Sequence, residues 1–240
     1  MDYGIRYSKK LYHTIETAAA MTDSVIVGFS GGKDSTVTLD LCFRYFKNVR
    51  AYFMYFVKGL EFQEVTLRYY EKRYDTEIIR LPHFMLSEFL KYGTYRLPDL
   101  DVPITNMKET YNYVRKQTGI HWIAAGERIA DSIVRRAMIK HSGSIDPVRG
   151  RIYPLANWNK KEVLDYVAWR KLPLSLENKV LESSFSGLEG KDIIRIREHF
   201  PDDYEKIRRA FPLVEAGIIH YQMQKENEEH ENSEDCTEQD

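Results

Sequence analysis

Cysteine is nearly absent from this chain. Cys42 and Cys236 are the only two in 240 residues. That is too few for a disulfide scaffold, a cysteine-rich zinc site or a four-cysteine iron–sulfur cluster. A reducing, cytoplasmic setting and the absence of an iron–sulfur cluster are the resulting expectations. Long apolar runs are missing too. None approaches the ~20 residues of a membrane span, and residues 1–7 hold no apolar signal segment, so neither a membrane role nor export is expected. The Walker A loop is absent, because Val27 stands where its first glycine belongs. The Gly-x-Gly-x-x-Gly fingerprint is absent as well. There is no internal repeat and no polybasic run.

What the chain does have is a substantial apolar fraction. At 43% hydrophobic over 240 residues, it can bury the core of one sizeable α/β domain, or of a domain with a small appendage. Charge is unevenly spread. Residues 225–240 carry one base, Lys225, against eight acids, a net of −7 that leaves the rest of the chain at +6 within an overall −1. A basic body suits a protein that handles phosphates or sulfates. The acidic stretch lacks apolar residues to pack, and a disordered tail over 225–240 is expected.

The pattern alternates between strand and helix. Residues 25–29, 50–57, 77–81 and 120–125 read as buried strands. Helices are expected over 8–21, 34–46, 63–74, 83–92 and 106–118. Such alternation predicts a parallel sheet with right-handed crossovers. Ligands of these sheets bind beyond the carboxyl ends of the strands. Three distinctive segments follow strand ends: 30–35, 58–61 and 126–128. They are therefore expected along one edge, facing one ligand. Beyond them come a basic helix over 131–140, a loop or hairpin over 145–153, and helices over 159–169, 189–199 and 202–211. The expected organisation is a nucleotide-binding α/β domain over 1–140, a mainly helical part over 141–224 that completes the site, and the acidic tail.

The first segment, Ser30-Gly31-Gly32-Lys33-Asp34-Ser35, ends a strand and opens a helix. Glycines let a backbone approach an anion, and first-turn amides with the helix dipole favour its charge. These six residues resemble the pyrophosphate-binding loop of the ATP pyrophosphatase (PP-loop) superfamily, whose members cleave ATP between the α and β phosphates. The resemblance implies a Rossmann-like, adenine nucleotide alpha hydrolase-like fold. It also implies ATP and Mg²⁺ as cofactors. The amides of Gly31 and Gly32, the hydroxyls of Ser30 and Ser35 and the Lys33 ammonium are then expected to hold the diphosphate, with Asp34 as a Mg²⁺ ligand or as a carboxylate complementing the helix dipole.

The later segments narrow the resemblance. Gly126-Glu127-Arg128 followed by Asp131-Ser132 and Arg135-Arg136 is similar to the signature shared by phosphoadenylyl-sulfate (PAPS) reductases and the nucleotide-binding subunit of bacterial sulfate adenylyltransferase. Arg151-Ile152-Tyr153-Pro154-Leu155 with Trp158, Val163 and Tyr166 resembles another stretch of the same branch. Guanidinium forks suit tetrahedral oxyanions. Arg128, Arg135, Arg136 and Arg151 are therefore expected at the substrate anion, and Gly126, Val57 and Gly59 at the nucleotide. At Lys58 the acidic residue usual in the reductases is missing.

Two features separate ATP use from reductase chemistry. The reductases carry Glu-Cys-Gly-x-His near the C-terminus, where this chain has Glu234-Asp235-Cys236-Thr237. Their loop also loses the Lys-Asp pair that stands here as Lys33 and Asp34. The expected activity is adenylyl transfer from ATP to an acceptor (a sulfate-like anion, a carbonyl or a nucleobase group) with release of diphosphate. Catalysis is expected to rest on Lys33, Asp34, Arg128 and Arg135. The alternatives are a PAPS reductase acting through Cys236 and a nucleotide-binding subunit of a nucleic-acid modification system. A partner subunit or a homo-oligomer fits any of them.

Overall fold

A computed structural model describes residues 8–181 and 188–235. Six strands form one sheet in the order β3-β2-β1-β4-β6-β5. They are β1 (Ser24–Gly28), β2 (Asn48–Tyr55), β3 (Ile78–Pro82), β4 (Ile123–Ala124), β5 (Ile145–Asp146) and β6 (Arg151–Ile152). All neighbours run parallel except β5 and β6, which close an antiparallel hairpin. The fold is α/β and Rossmann-like. The chain travels outward from β1 to β2 and β3, then returns to the far side of β1 to lay down β4. This reversal leaves a crevice between the loops that follow β1 and β4, the place where open parallel sheets bind ligands.

Helix α1 (Lys9–Met21) starts at Ser8, whose hydroxyl accepts the Leu11 amide, and buries Leu11, Ile15 and Ala18. Helix α2 (Lys33–Tyr45) follows β1 and is buried from Ser35 through Cys42. α3 (Glu61–Tyr74) and α4 (Leu86–Tyr92) follow β2 and β3. α5 (Met107–Thr118) opens with a capping box between Asn106 and Glu109 and stops at Gly119, at φ +70°. α6 (Ile133–Ser142) is capped by Ser132, and α7 (Lys160–Arg170) by a second box, Asn159 with Glu162. Such boxes satisfy the orphan amides of the first turn. The strand expected over 120–125 shrinks to two residues.

A short α8 (Leu176–Val180) leads to α9 (Gly190–His199), α10 (Pro201–Ala210) and α11 (Glu215–Asp235). The stretch expected to be a disordered tail is thus helical through Asp235. Its Glu and Lys residues are good helix formers whatever their charge. Cys236, and with it the thiol of the reductase alternative, lies outside the described residues.

Two features tie α2 and α3 in place. Asp40 on α2 is fully buried. It accepts the hydroxyls of Tyr74 and Tyr166, both at 2.6 Å, and the Arg170 guanidinium at 3.0 and 3.2 Å. One carboxylate thereby joins α2, α3 and α7. The N-cap of α3 is Leu60, which has no side-chain acceptor. Asp203 of α10 supplies one instead, taking the amides of Glu61 and Phe62 at 2.8 and 2.9 Å. Around this cap, Phe56, Val57, Leu60 and Phe62 share a hydrophobic cluster with Leu188, Ile193, Ile196, Ile207 and Phe211. That cluster spans the boundary expected near residue 141.

Candidate functional site

A cleft of about 710 Å³ opens at the carboxyl ends of β1 to β4. Its phosphate-sized end is the 30–35 loop. Gly31 has φ +77°, a left-handed conformation that a side chain would disfavour. The Ser35 hydroxyl donates to the Gly32 carbonyl at 2.9 Å and accepts both the amide and the hydroxyl of Ser30 at 3.1 Å. Gly32 is the N-cap of α2 and brings no capping side chain. The first-turn amides of α2 keep their capacity for an anion. Asn178 ties the loop from behind, its Nδ2 donating to the Gly31 carbonyl at 3.2 Å.

Lys33 Nζ lies 2.8 Å from Asp34 Oδ2, and Arg128 Nε lies 3.0 Å from Asp34 Oδ1. The second contact is a charge contact without hydrogen-bond alignment, for Asp34 Oδ1 and Arg128 Nε have no hydrogen-bond partner among the described residues. Asp34 is thus shared between two cations. Arg128 is buried, and Asp131 takes its Nη2 at 2.6 Å and its amide at 2.9 Å. Arg135 lines the cleft with its head half exposed and shares Asp131 at 3.2 Å.

Gly126 joins the two sides of the crevice. A Cβ there would sit 2.9 Å from the Asp34 carbonyl carbon and 3.0 Å from the Ser35 amide nitrogen. Backbone cannot yield as a side-chain tip can. Gly126→Ala is therefore expected to push the start of α2 off its position and weaken ATP binding about 100-fold. Isothermal titration checks this.

Not every expected residue reaches the cleft. Val57 and Gly59 do not line it. Val57 packs against the C-terminal helices, and the Gly59 carbonyl accepts Lys206 Nζ at 2.7 Å. The Asp203 cap and that cluster draw the segment away, leaving Tyr52, Phe53, Met54 and Phe56 on the β2 side. Arg136 also stays off the wall, its Nε directed at the Ile129 carbonyl at 3.5 Å. Arg151 is buried behind the wall, its guanidinium 4.2 Å from the centroid of the Tyr111 ring.

Other lining residues were not anticipated from the sequence: His83, Met107, Tyr111, Glu127, Lys160 and Asn178. His83 stacks on Phe56 and Phe84 with ring centroids 4.6 and 4.5 Å apart. Burial holds its pKa below the usual histidine value. Glu127 is the middle residue of Gly126-Glu127-Arg128, the position to which that pattern assigns no task.

Among the described residues, no group of three or more His, Cys, Asp or Glu side chains is placed to hold a metal ion. Cys42 is buried in the core, which pushes its thiol pKa up. No described helix is long and apolar enough to cross a membrane.

The profile of the phosphoadenosine phosphosulfate reductase domain family matches residues 24–179. No curated protein matches the sequence. Among solved structures, the U34-tRNA thiolase NcsA from Methanococcus maripaludis, with its [4Fe-4S] cluster, is 18% identical. That match covers 86% of this chain and 78% of the thiolase at a TM-score of 0.48. The NH3-dependent NAD synthetase from Campylobacter jejuni, in complex with nitrate, is 16% identical, covering 94% and 95% of the two chains at 0.47. The thiolase corrects one expectation. A similar protein carries an iron–sulfur cluster, so the absence of a cluster does not follow from two cysteines here. Counting thiols assumes that one chain supplies every ligand and that every ligand is cysteine, and neither is required.

Proposed function

Because the chain belongs to the phosphoadenosine phosphosulfate reductase domain family of the PP-loop superfamily, we propose that it binds ATP in the cleft, cleaves it between the α and β phosphates and passes the adenylyl group to an acceptor. The observation that carries this reading is the 30–35 loop. Its left-handed Gly31 makes the turn, and its paired serine hydroxyls and uncapped helix start face a cleft large enough for a nucleotide.

The β,γ-diphosphate sits on the loop amides and the Ser30 and Ser35 hydroxyls. Negative charge grows on it as the bond to the α phosphorus breaks, so donors fixed there act mainly on the transition state. Lys33 neutralises the leaving group. Asp34 orients Lys33 on one side and Arg128 on the other, and Arg128 in turn fixes Asp131. Arg135, whose head is half exposed in the cleft, is the cation assigned to the α phosphate.

The test is incubation with α-labelled ATP, Mg²⁺ and a panel of acceptors. Labelled adenylyl product and free diphosphate in equal amounts are expected. Exclusive formation of ADP, or no saturable ATP binding, refutes the reading.

A further inference from the structure

Helix α6 gives the core a single side chain. Within Ile133–Ser142 only Ile139 is buried, packed with Tyr153 and Ala156. The opposite face carries apolar residues into solvent. Ile133 is 82% exposed and Val134 78%, and Ala137 and Met138 are exposed beside them. Positions 133, 134, 137 and 138 form one stripe on a helix, and Arg136 and Lys140 run along its edge. The helix holds Arg135, Arg136 and Lys140 and no acid. A helix this short gains little stability by itself, and an apolar face turned away from the core marks an interaction surface.

Helix α11 offers a counterpart. Its first turns are fixed to the body. Ile218 lies in the cluster of Ile193 and Phe211, and a Cβ on Gly190 of α9 would meet the Gly217 carbonyl oxygen. The face turned away holds Ala216, Ile219 and Met223 at helical spacing, with Ile219 57% and Met223 59% exposed. Residues 222–227 are all exposed. The helix carries seven acids against one lysine, Lys225.

Both stripes are apolar, and the charges around them differ in sign. Pairing α6 with α6 sets base against base, and pairing α11 with α11 sets acid against acid. Like charges disfavour both arrangements. Pairing α6 with α11 joins the apolar stripes and opposes the charges. Both stripes are open on one molecule, so a second copy of the chain supplies the partner for each. We propose that the protein forms a closed dimer in which the 133–138 stripe of α6 packs against the 216–223 stripe of α11 in the second copy. The two stripes belong to different parts of the chain, so a two-fold axis makes the contact twice and leaves neither stripe open.

The test is sedimentation of the full chain and two variants. At about 100 µM the wild type is expected to sediment with twice the chain mass, and to shift toward the monomer as salt screens the charges. Val134→Asp puts an acid where it meets the acidic helix, and Ile219→Lys puts a base where it meets the basic one. Each alone is expected to weaken dimerisation at least ~100-fold. Each should keep the wild-type circular dichroism, because both side chains are exposed, Asp suits the first turn of a helix and Lys is a good helix former. Mixed in equal amounts, the two variants are expected to regain the dimer, since one contact is then native and the other sets Asp against Lys. A wild-type chain that stays monomeric overturns the inference and leaves the stripes to a different protein. A dimer that either variant leaves intact overturns it as well, and so does a mixture that stays monomeric.

Discussion

Lys33→Ala is expected to slow diphosphate release from ATP by about 10²–10³-fold, the usual cost of removing one preorganised donor from a developing charge. Lys33 Nζ is held 2.8 Å from Asp34 and is partly open to the cleft. On the proposed reading it reaches the diphosphate without first leaving a buried partner. Charge on the leaving group rises toward the transition state, so the loss should appear mainly in the rate of bond cleavage and less in ATP affinity. Single-turnover cleavage of α-labelled ATP separates the two. Melting temperature should change little, because the part-exposed ion pair with Asp34 is the polar contact the side chain gives up. A variant that cleaves ATP at the normal rate would remove the 30–35 loop from the mechanism.

Asp40→Ala has the largest expected effect on stability, about 3–5 kcal/mol, as when one member of a buried, hydrogen-bonded ion pair is removed. It strands the Tyr74 and Tyr166 hydroxyls and the Arg170 guanidinium. For a chain of this size that is roughly a 6–20 °C fall in melting temperature, readable by calorimetry or circular dichroism. Acidity probes the same carboxylate. Burial alone would raise the Asp40 pKa, but the hydrogen bonds from Arg170, Tyr166 and Tyr74 outweigh it and hold the group below the ordinary aspartate value. Its stabilisation is therefore complete above about pH 4, near the unfolded pKa. It is lost only as pH falls further, through the lower folded value. The wild type should show this acid-side loss, and Asp40→Ala should lack that component.

The parts of this structure that were legible in the sequence are those fixed by near neighbours. Six consecutive residues specify the 30–35 loop. Asn106 with Glu109 marks the start of α5, and Gly119 its end. The alternation of strand and helix was enough to place the loop, Gly126 and Arg128 on one edge. Residues whose surroundings come from distant chain were not legible. Val57 and Gly59 follow a strand end as a nucleotide contact would, but Asp203 and Lys206 decide where they go. Arg151 reads as an anion ligand until Tyr111, from a helix 40 positions earlier, is found lying against it. Glu127, between a glycine and an arginine, lines the cleft through contacts that no local residue pattern specifies. The 225–235 stretch is helical although its charge pattern reads as a tail, because helix propensity and net charge are separate properties.

The Asp203 cap has a consequence in time. Ribosomes add about 5–20 residues per second, and Asp203 lies 142 positions after the Glu61 amide it receives. For roughly 7–30 s of synthesis, the 30–35 loop and then Gly126 and Arg128 exist while the start of α3 has no cap and Phe62 no cover. A nascent chain thus acquires the phosphate side of its cleft early and the β2 side last. Premature termination before Asp203 would leave a product with the nucleotide loop intact and an apolar seam exposed, a species for chaperones or proteases rather than a smaller working enzyme.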